Sequence, residues 1–390
     1  MSKSSIHQPD LLIQNLLRKG QNFRELAESF NLEVQQHPKF PHLIWFGNAG
    51  ADPTVPLVRQ CRGLILDSNN NWGVVARPLD HIPEWSESGA PTLSWNTTPK
   101  PRILDKIDGR SCYLYYYDGW YVGSYYNVDA SELVPGTNSR VAEIFWATFQ
   151  DSRGYILPPQ SFGGCTFVWE LTGQHLTKVT RKCLEGIGDG NRLTLTAVRL
   201  NSSGEEKDPA DFCGQGIRSY HYAYEDPTEF KNLRDVLDSV VRCGLDYSEG
   251  VIVVNSKWER IAVTHPEYDS ARKLRSGLSI EWVINNVRAK SHVTIYNYAP
   301  DWVPIQAMIA RCYADLIQRI AKTSSTLKEI TDDTEFTSKA KCYPYSDILL
   351  KLRFKEIPHI TDGLRELPWQ ELLGWLEVPE DGLKLKEVAA

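Results

Sequence analysis

The sequence lacks the features that mark membrane, secreted and zinc-stabilised proteins. No apolar stretch in its 390 residues approaches the roughly 20 residues that a membrane-spanning helix needs, and segment 1–5 lacks the apolar core of a signal peptide. The eight cysteines are scattered singly with no C-x-x-C pair, so neither a zinc ribbon nor a disulfide framework is indicated. We therefore expect a globular protein of the reducing cytoplasm with no membrane partner.

Positive charge is also scarce. Lysine and arginine number 43 against 49 acidic residues, which gives a net charge of −6. This balance argues against a protein that coats nucleic acid through bulk charge, although it leaves room for a local basic groove. Segment 272–275, with three basic residues, is the strongest candidate for such a groove, and an ordinary solvated helix face explains the same pattern.

Length and periodicity predict two domains with an α+β fold. Domains usually run to about 100–200 residues. Up to Tyr268 the chain is rich in short apolar strands and turns, whereas beyond it a stripe from Ile305 to Ile320 repeats at helical spacing and predicts a helix core face. We therefore predict an antiparallel-sheet domain over residues 1–268 and a mainly helical C-terminal domain over residues 269–390.

Local patterns place the elements within these domains. Alternation and aromatic content predict strands at 62–67, 72–78, 112–117, 120–122, 165–171, 193–200 and 247–254. Helical spacing predicts a helical region over 8–35 that stops at Gly20 and resumes at Phe23 after a break, and helices at 141–149, 230–241, 345–353 and 368–376.

Lys106 is the most unusual residue of the first domain. It lies in segment 105–110 (DKIDGR), directly before an aromatic run that predicts a strand. Lysine is costly to bury unpaired, and a glycine lets a backbone come close to a ligand. A K-x-D-G match is short and arises easily by chance, so its weight depends on what accompanies it.

Two acids and two arginines lie at the ends of predicted strands. Glu170 ends one buried strand and Glu249 opens another, and a sheet would fix the positions of both carboxylates. Arg62 and Arg77 bracket a predicted hairpin, where guanidinium groups can bind phosphate oxygens in bidentate fashion. Each of these residues alone is explained equally well as a strand-end group in an ordinary ion pair.

The ordered set, however, is specific. Arg62-Gly63, Lys106-x-Asp108-Gly109, Glu170 and Glu249-Gly250 follow one another across the β-rich region. This order resembles the covalent nucleotidyltransferase superfamily and, within it, the ATP-dependent RNA ligases similar to phage T4 RNA ligase 1, over most of the chain. The resemblance implies that Lys106 attacks the α-phosphate of ATP, that AMP then passes to an RNA 5′-phosphate, and that a 3′-hydroxyl finally displaces it.

The resemblance also implies roles for the other residues and a cofactor. Mg²⁺ would offset the phosphate charge, with Glu170 and Glu249 as its protein ligands. The implied partners are RNA ends, and the oligomeric state is left open. The residues expected at the nucleotide are Arg62, Asp108, Gly109, Glu170, Glu249 and Arg260.

Several cations that this family normally carries are missing. The last motif supplies two lysines ahead of a tyrosine, and the matching positions hold Ala262 and Thr264. Leu176 and Thr177 stand in place of an Asn-Arg pair, and His81 in place of a lysine. A cation that acts on developing phosphate charge is typically worth a few kcal/mol in the transition state.

The missing cations leave three functions open. The first is an ATP-dependent RNA ligase that repairs or joins RNA ends. The second is an adenylyltransferase that activates another phosphate or a carboxylate, and the third is a degenerate ligase domain that binds nucleotide or RNA ends without full ligation. The first two need substitute cations, and those nearby in sequence are Lys178, Lys257, Arg260 and His265.

Overall fold

The structure is a computed structural model of the chain. It describes residues 11–87, 90–97, 99–135, 137–151, 157–177, 179–180, 190–212, 229–245, 247–289, 299 and 302–378. The chain divides into two compact units, Met1–Tyr268 and Asp269–Ala390. The first unit carries antiparallel sheets and the second is helical, so the predicted α+β fold class is confirmed. The assignment of these units as functional domains stays a prediction.

The first unit is built from short strands with few helices. Its strands are β1 (Glu33–Gln36), β2 (Leu43–Gly47), β3 (Leu64–Asp67), β4 (Gly73–Ala76), β5 (Arg102–Asp105), β6 (Arg110–Tyr116), β7 (Trp120–Ser124), β8 (Cys165–Thr172), β9 (Arg192–Leu200), β10 (Glu206–Lys207), β11 (Gly250–Val254) and β12 (Arg260–Thr264). Its helices are α1 (Leu12–Arg18), α2 (Phe23–Ser29), α3 (Pro56–Gln60), α4 (Val141–Asp151) and α5 (Leu233–Cys243).

These strands form three sheets with the orders β1-β2-β3-β4, β10-β9-β8-β6-β7 and β12-β11-β5. Apolar side chains of the first two sheets pack into one cluster, which includes Trp45, Ile65 and Tyr113. The opposite face of the five-stranded sheet packs against α4, and the three-stranded sheet packs against α5. Side chains alternate between the two faces of a strand, and each sheet therefore holds the residues at its strand ends in fixed rows.

The helical region predicted over residues 8–35 breaks at Gly20 as expected, but it was wrong in extent because β1 begins at Glu33. Gly20 adopts a positive φ of 91° after α1, and Asn31 one of 53° after α2. Both are backbone conformations that end a helix. The chain then turns into β1, which pairs with β2. The buried strand β2 was not predicted at all.

The second unit packs its helices around one core. The helix stripe predicted from Ile305 to Ile320 faces this core, where Ile309, Leu316 and Ile320 are buried together with Leu364. No helix in the described residues is long and apolar enough to span a membrane. The helices are α6 (Tyr268–Gly277), α7 (Ile280–Ala289), α8 (Val303–Leu327), α9 (Asp333–Ala340), α10 (Ser346–Arg353), α11 (Ile360–Glu366) and α12 (Trp369–Trp375).

Candidate active site

Lys106 follows directly after β5, at the end of the three-stranded sheet. Its backbone N–H donates to the carbonyl of Gly250 at 3.0 Å, which continues the pairing of β5 with β11. Its amine forms an ion pair with Glu249 and lies 5.5 Å from the centroid of the Tyr268 ring. The sheet therefore holds this lysine beside an acid and an aromatic ring.

Glu249 immediately precedes β11 and is 8% exposed. The predicted strand began three residues earlier, at 247, and Glu249 lies at the mouth of the observed strand. Burial raises the pKa of its carboxyl to about 7, against the opposing effect of the Lys106 amine. The nearby acids Asp108 and Glu84 raise that pKa further.

Glu170 lies on β8 and faces the same region. It stands opposite Ser111 in the β6–β8 register, and the Ser111 hydroxyl donates to its carboxylate at 2.6 Å. Burial raises the pKa of Glu170 to about 8; the serine hydrogen bond opposes this shift, and Glu249 and Asp108 add to it. The structure thus brings Lys106, Glu170 and Glu249 into one acidic cluster.

Asp108 is held inside the protein, 3% exposed. One carboxylate oxygen accepts from the backbone N–H groups of Val179 and Thr180, at 2.6 and 3.0 Å. The other accepts from the Tyr268 hydroxyl at 2.9 Å. These bonds tie the segment after Lys106 to two distant parts of the chain. In this arrangement both carboxylate oxygens of Asp108 are used to hold these segments together, rather than to contact a nucleotide.

Gly109 is required by the close approach of β8. A Cβ at this position would lie 2.6 Å from the backbone oxygen of Leu171, so any side chain would push β6 away from β8. The glycine also lines a small cavity together with Arg62 and Ser111. The main consequence of having no side chain at Gly109 is therefore that β6 and β8 can pack closely.

Arg62 is aimed by the glycine that follows it. Gly63 has a φ of 78°, and a Cβ there would meet the rings of Tyr113 and Tyr125 at 3.0 and 3.3 Å. The turn places the guanidinium of Arg62 3.9 Å from the centroid of the Tyr125 ring. Because Arg62 lowers the pKa of Glu170 through its charge, it belongs with the acidic cluster.

The structure does not bring Arg260 to this cluster. Gly250 pairs with Thr264 and Val254 with Arg260, so Arg260 lies four residues, or about 13 Å, along β12 from the Lys106 end. Its guanidinium forms a buried ion pair with Glu206 and lies 5.4 Å from the centroid of the Trp258 ring. Arg260 therefore has a local acidic partner.

The two positions that usually hold lysines carry no charge here. Ala262 is 2% exposed, and its N–H donates to the carbonyl of Pro83 at 2.9 Å. Thr264 donates its hydroxyl to Glu84 at 2.5 Å. An acid therefore takes the place where the family pattern has a cation, and sequence reasoning missed it because Glu84 lies 180 positions from Thr264.

The sequence holds three further candidate substitute cations, and His81 in the place of a lysine. His265 is buried, which lowers its pKa, so the ring is neutral at pH 7. His81 pairs with Glu87 at 3.1 Å. Lys257 lies on the turn between β11 and β12, at the Arg260 end, and Lys178 lies outside the described residues.

The replacements for the Asn-Arg pair are buried in the protein. Leu176 packs into the core on the α4 side of the five-stranded sheet, and Thr177 is 2% exposed. The hydroxyl of Thr177 has no hydrogen-bond partner among the described residues. Neither side chain supplies a charge.

A hydrated divalent cation fits the acidic cluster by its chemistry. No group of three or more His, Cys, Asp or Glu side chains poised to hold a metal occurs in the described part of the chain. Mg²⁺ needs no such group, because it usually keeps several waters and takes one or two carboxylates. Glu170 and Glu249 offer two carboxyls whose pKa values are raised by burial and by neighbouring acids, Asp108 among them in both cases, and a dication would relieve this repulsion.

A scan against protein-family models and a search of curated proteins both found no match. Solved structures do match. The chain is similar to ATP-dependent ligases. An archaeal ATP-dependent RNA ligase (form 2) is 13% identical with a TM-score of 0.44, over 81% of this chain and 83% of that chain. A putative ATP-dependent DNA ligase from Aquifex aeolicus is 9% identical with a TM-score of 0.41, over 74% and 71%.

A Naegleria gruberi RNA ligase mutant with ATP and Mn is 12% identical with a TM-score of 0.31, over 44% of this chain. The chain spans about half the length of that ligase, 51%. At these identities and TM-scores the likeness assigns a role to no residue.

Proposed function

We propose that this protein is an ATP-dependent nucleotidyltransferase that carries AMP on Lys106 and passes it to the 5′-phosphate of RNA. The observation that carries the proposal is the placement of the Lys106 amine against Glu249, whose charge in turn acts on the carboxyl of Glu170. The ordered K-x-D-G, arginine and glutamate motifs support the same chemistry.

In the first step the Lys106 amine attacks the α-phosphorus of ATP. An N–P bond forms, the bond from the α-phosphorus to the bridging oxygen breaks, and pyrophosphate leaves with that electron pair. The amine must first lose a proton, from a reference pKa of about 10.4. Glu249 is the neighbouring group, and its pKa of about 7 lets it take this proton near neutral pH.

In the second step an oxygen of the RNA 5′-phosphate attacks the phosphorus of lysyl-AMP. The N–P bond breaks and its electron pair returns to Lys106, which takes up a proton. A 3′-hydroxyl then attacks the activated phosphate and releases AMP. A bound Mg²⁺ would supply positive charge to the phosphates and to the leaving group, and Glu170 and Glu249 are the residues that would hold it.

A second candidate function is favoured by one observation. Ala262 and the Thr264–Glu84 pair occupy the places of cations that act on phosphate, so the chain can bind nucleotide or RNA ends and stop short of sealing them. Incubation with α-labelled ATP and denaturing electrophoresis separates the candidates. A covalent label supports the transferase, and its chase into 5′-phosphorylated RNA supports ligation, whereas binding without label supports the second candidate.

A further inference from the structure

Beside the acidic cluster, the rings of two adjacent tyrosines are each in contact with the guanidinium of an arginine. The guanidinium carbon of Arg62 lies 3.9 Å from the centroid of the Tyr125 ring, and that of Arg110 lies 5.3 Å from the centroid of the Tyr126 ring. All four residues line one cavity of about 210 Å³. We call it the tyrosine cavity.

The tyrosine cavity is built on rigid backbone. The Ser124 hydroxyl accepts from the N–H groups of Tyr126 and Asn127 at 3.1 and 3.0 Å. Gln35 donates its side-chain amide to the carbonyl of Tyr126 at 3.1 Å. The turn that carries both tyrosines is thus fixed from two sides, and the Tyr126 ring stays 53% exposed.

The cavity also adjoins the candidate catalytic residues. Gly109 and Ser111 line it, and Ser111 is the residue that donates to Glu170. Lys106 lies only four positions before Arg110 along the chain. A group bound in the cavity therefore reaches the same strand ends as the Lys106 amine.

The chemistry of the lining fits a nucleotide with a phosphate. Neither Arg62 nor Arg110 forms an ion pair with any described residue, and Arg62 only donates to the backbone carbonyl of Asp80, at 3.4 Å. Arginine without a carboxylate partner suits a phosphate, and an exposed tyrosine ring suits a base. The volume is below the roughly 300–1,000 Å³ of typical ligand pockets, so it suits one nucleotide rather than a whole ATP.

We propose that the tyrosine cavity binds the 5′-phosphorylated terminal nucleotide of the RNA strand that receives AMP. Arg110 and Arg62 hold its phosphate, and the base stacks on Tyr126, from whose exposed side the strand continues into solvent. The proposal rests on the proposed function and names the residues that select its second substrate.

The test compares binding with catalysis in the whole chain. A fluorescent oligoribonucleotide is offered with a 5′-phosphate or a 5′-hydroxyl, and anisotropy gives Kd for the wild type, Arg110→Ala, Tyr126→Ala and Tyr126→Phe. Lysyl-adenylate formation from labelled ATP is measured on the same variants. Arg24→Ala is the matched control, because Arg24 stacks on Phe23 at 5.6 Å, away from the cavity.

The wild type should prefer the phosphorylated strand, and Arg110→Ala should abolish this preference. Tyr126→Ala should weaken binding of both strands about tenfold, with recovery in Tyr126→Phe and no change in Arg24→Ala. Transfer to RNA should fall at least tenfold more than lysyl-adenylate formation does.

Three results overturn the inference: no binding of either strand by the wild type, unchanged Kd in both variants, or a loss that falls mainly on lysyl-adenylate formation, which would assign the cavity to ATP. A wild type that binds the phosphorylated strand with the expected variant pattern but forms no lysyl-adenylate would overturn the proposed function and leave the inference standing.

Discussion

Lys106 and Glu249 lie 143 positions apart in the sequence, and their side chains form an ion pair at one end of the β5–β11 pairing. The lysine is placed by the backbone bond from its N–H to Gly250, the residue that follows Glu249. The pairing of β5 with β11 therefore fixes the positions of both Lys106 and Glu249. This relationship makes the two residues a unit, and the account depends on it.

Glu249→Gln should lower the rate of lysyl-adenylate formation by at least about 100-fold, the usual loss when one group that acts on transition-state charge is removed. The variant loses both the proton acceptor beside Lys106 and one carboxylate for the metal. Single-turnover labelling with ATP at saturating Mg²⁺ measures the rate. Glu267→Gln, on the exposed turn after β12, serves as the control, and equal rates in the two variants would reduce Glu249 to a structural residue.

Glu170→Gln should stabilise the metal-free protein at pH 8. The folded-state pKa of Glu170 is raised to about 8 from 4.5, so between these values the folded state binds more protons than the unfolded state. Stability then falls as pH rises across that window, and a glutamine does not have this penalty. The variant should gain at least about 2 °C in Tm, the shift that about 1 kcal/mol produces in a protein of this size.

The gain should shrink towards pH 5, because the pH then approaches the unfolded-state value of 4.5 and little of the pKa window that penalises the folded carboxylate remains below it. Calorimetry at pH 5, 6.5 and 8 without metal checks this trend. A loss of stability at pH 8 would mean that the Ser111 hydrogen bond, and not burial, dominates the energy of this carboxylate.

Thr264→Lys should raise the rate of lysyl-adenylate formation. Thr264 pairs with Gly250 next to Lys106 and contacts Glu84, so a lysine there gains an acid partner and adds positive charge to the cluster. Ala262→Lys should instead cost stability, because that position is 2% exposed and an unpaired buried ammonium is costly. Single-turnover rates of lysyl-adenylate formation and Tm are measured on both variants. Faster adenylation in Ala262→Lys, with none in Thr264→Lys, would contradict the assignment of position 264 as the one that faces the cluster.

Arg260→Ala should lower the free energy of unfolding by roughly 3–5 kcal/mol, the usual cost of breaking a buried ion pair. It leaves Glu206 uncompensated in a site where both side chains are below 10% exposed. Urea denaturation measures the loss. The rate of lysyl-adenylate formation per folded molecule should fall less in Arg260→Ala than in Glu249→Gln. A larger loss in Arg260→Ala would instead indicate that Arg260 acts on the nucleotide.

The sequence predicted the strands that carry a local pattern. The aromatic run of β6 and the apolar runs of β8 and β9 appear within one or two residues of their predicted bounds. Glu170 and Glu249 could be singled out because each stands near the end of a predicted strand, and Lys106 because its K-x-D-G segment precedes the aromatic run of β6. Their convergence follows from strand pairing across the sheets.

The partners of these residues could not be predicted in the same way. Asp108 accepts hydrogen bonds from residues 71, 72 and 160 positions away, and Glu84 meets Thr264 across 180 positions. No local periodicity encodes such contacts, because they depend on how separate sheets pack. Arg260 lies apart from the acidic cluster for a related reason: each residue along a strand adds about 3.3 Å of separation, so a residue four positions away on β12 is distant from Lys106.

The central claim is that Lys106 carries AMP through a covalent bond. The most direct measurement is peptide mass spectrometry of the protein after reaction with ATP and Mg²⁺, with Lys106→Ala and the neighbouring control Lys100→Ala treated alike. The account predicts one AMP on the peptide that contains Lys106 in the wild type and in Lys100→Ala, and none in Lys106→Ala. AMP attached to another residue, or retained in Lys106→Ala, would contradict it.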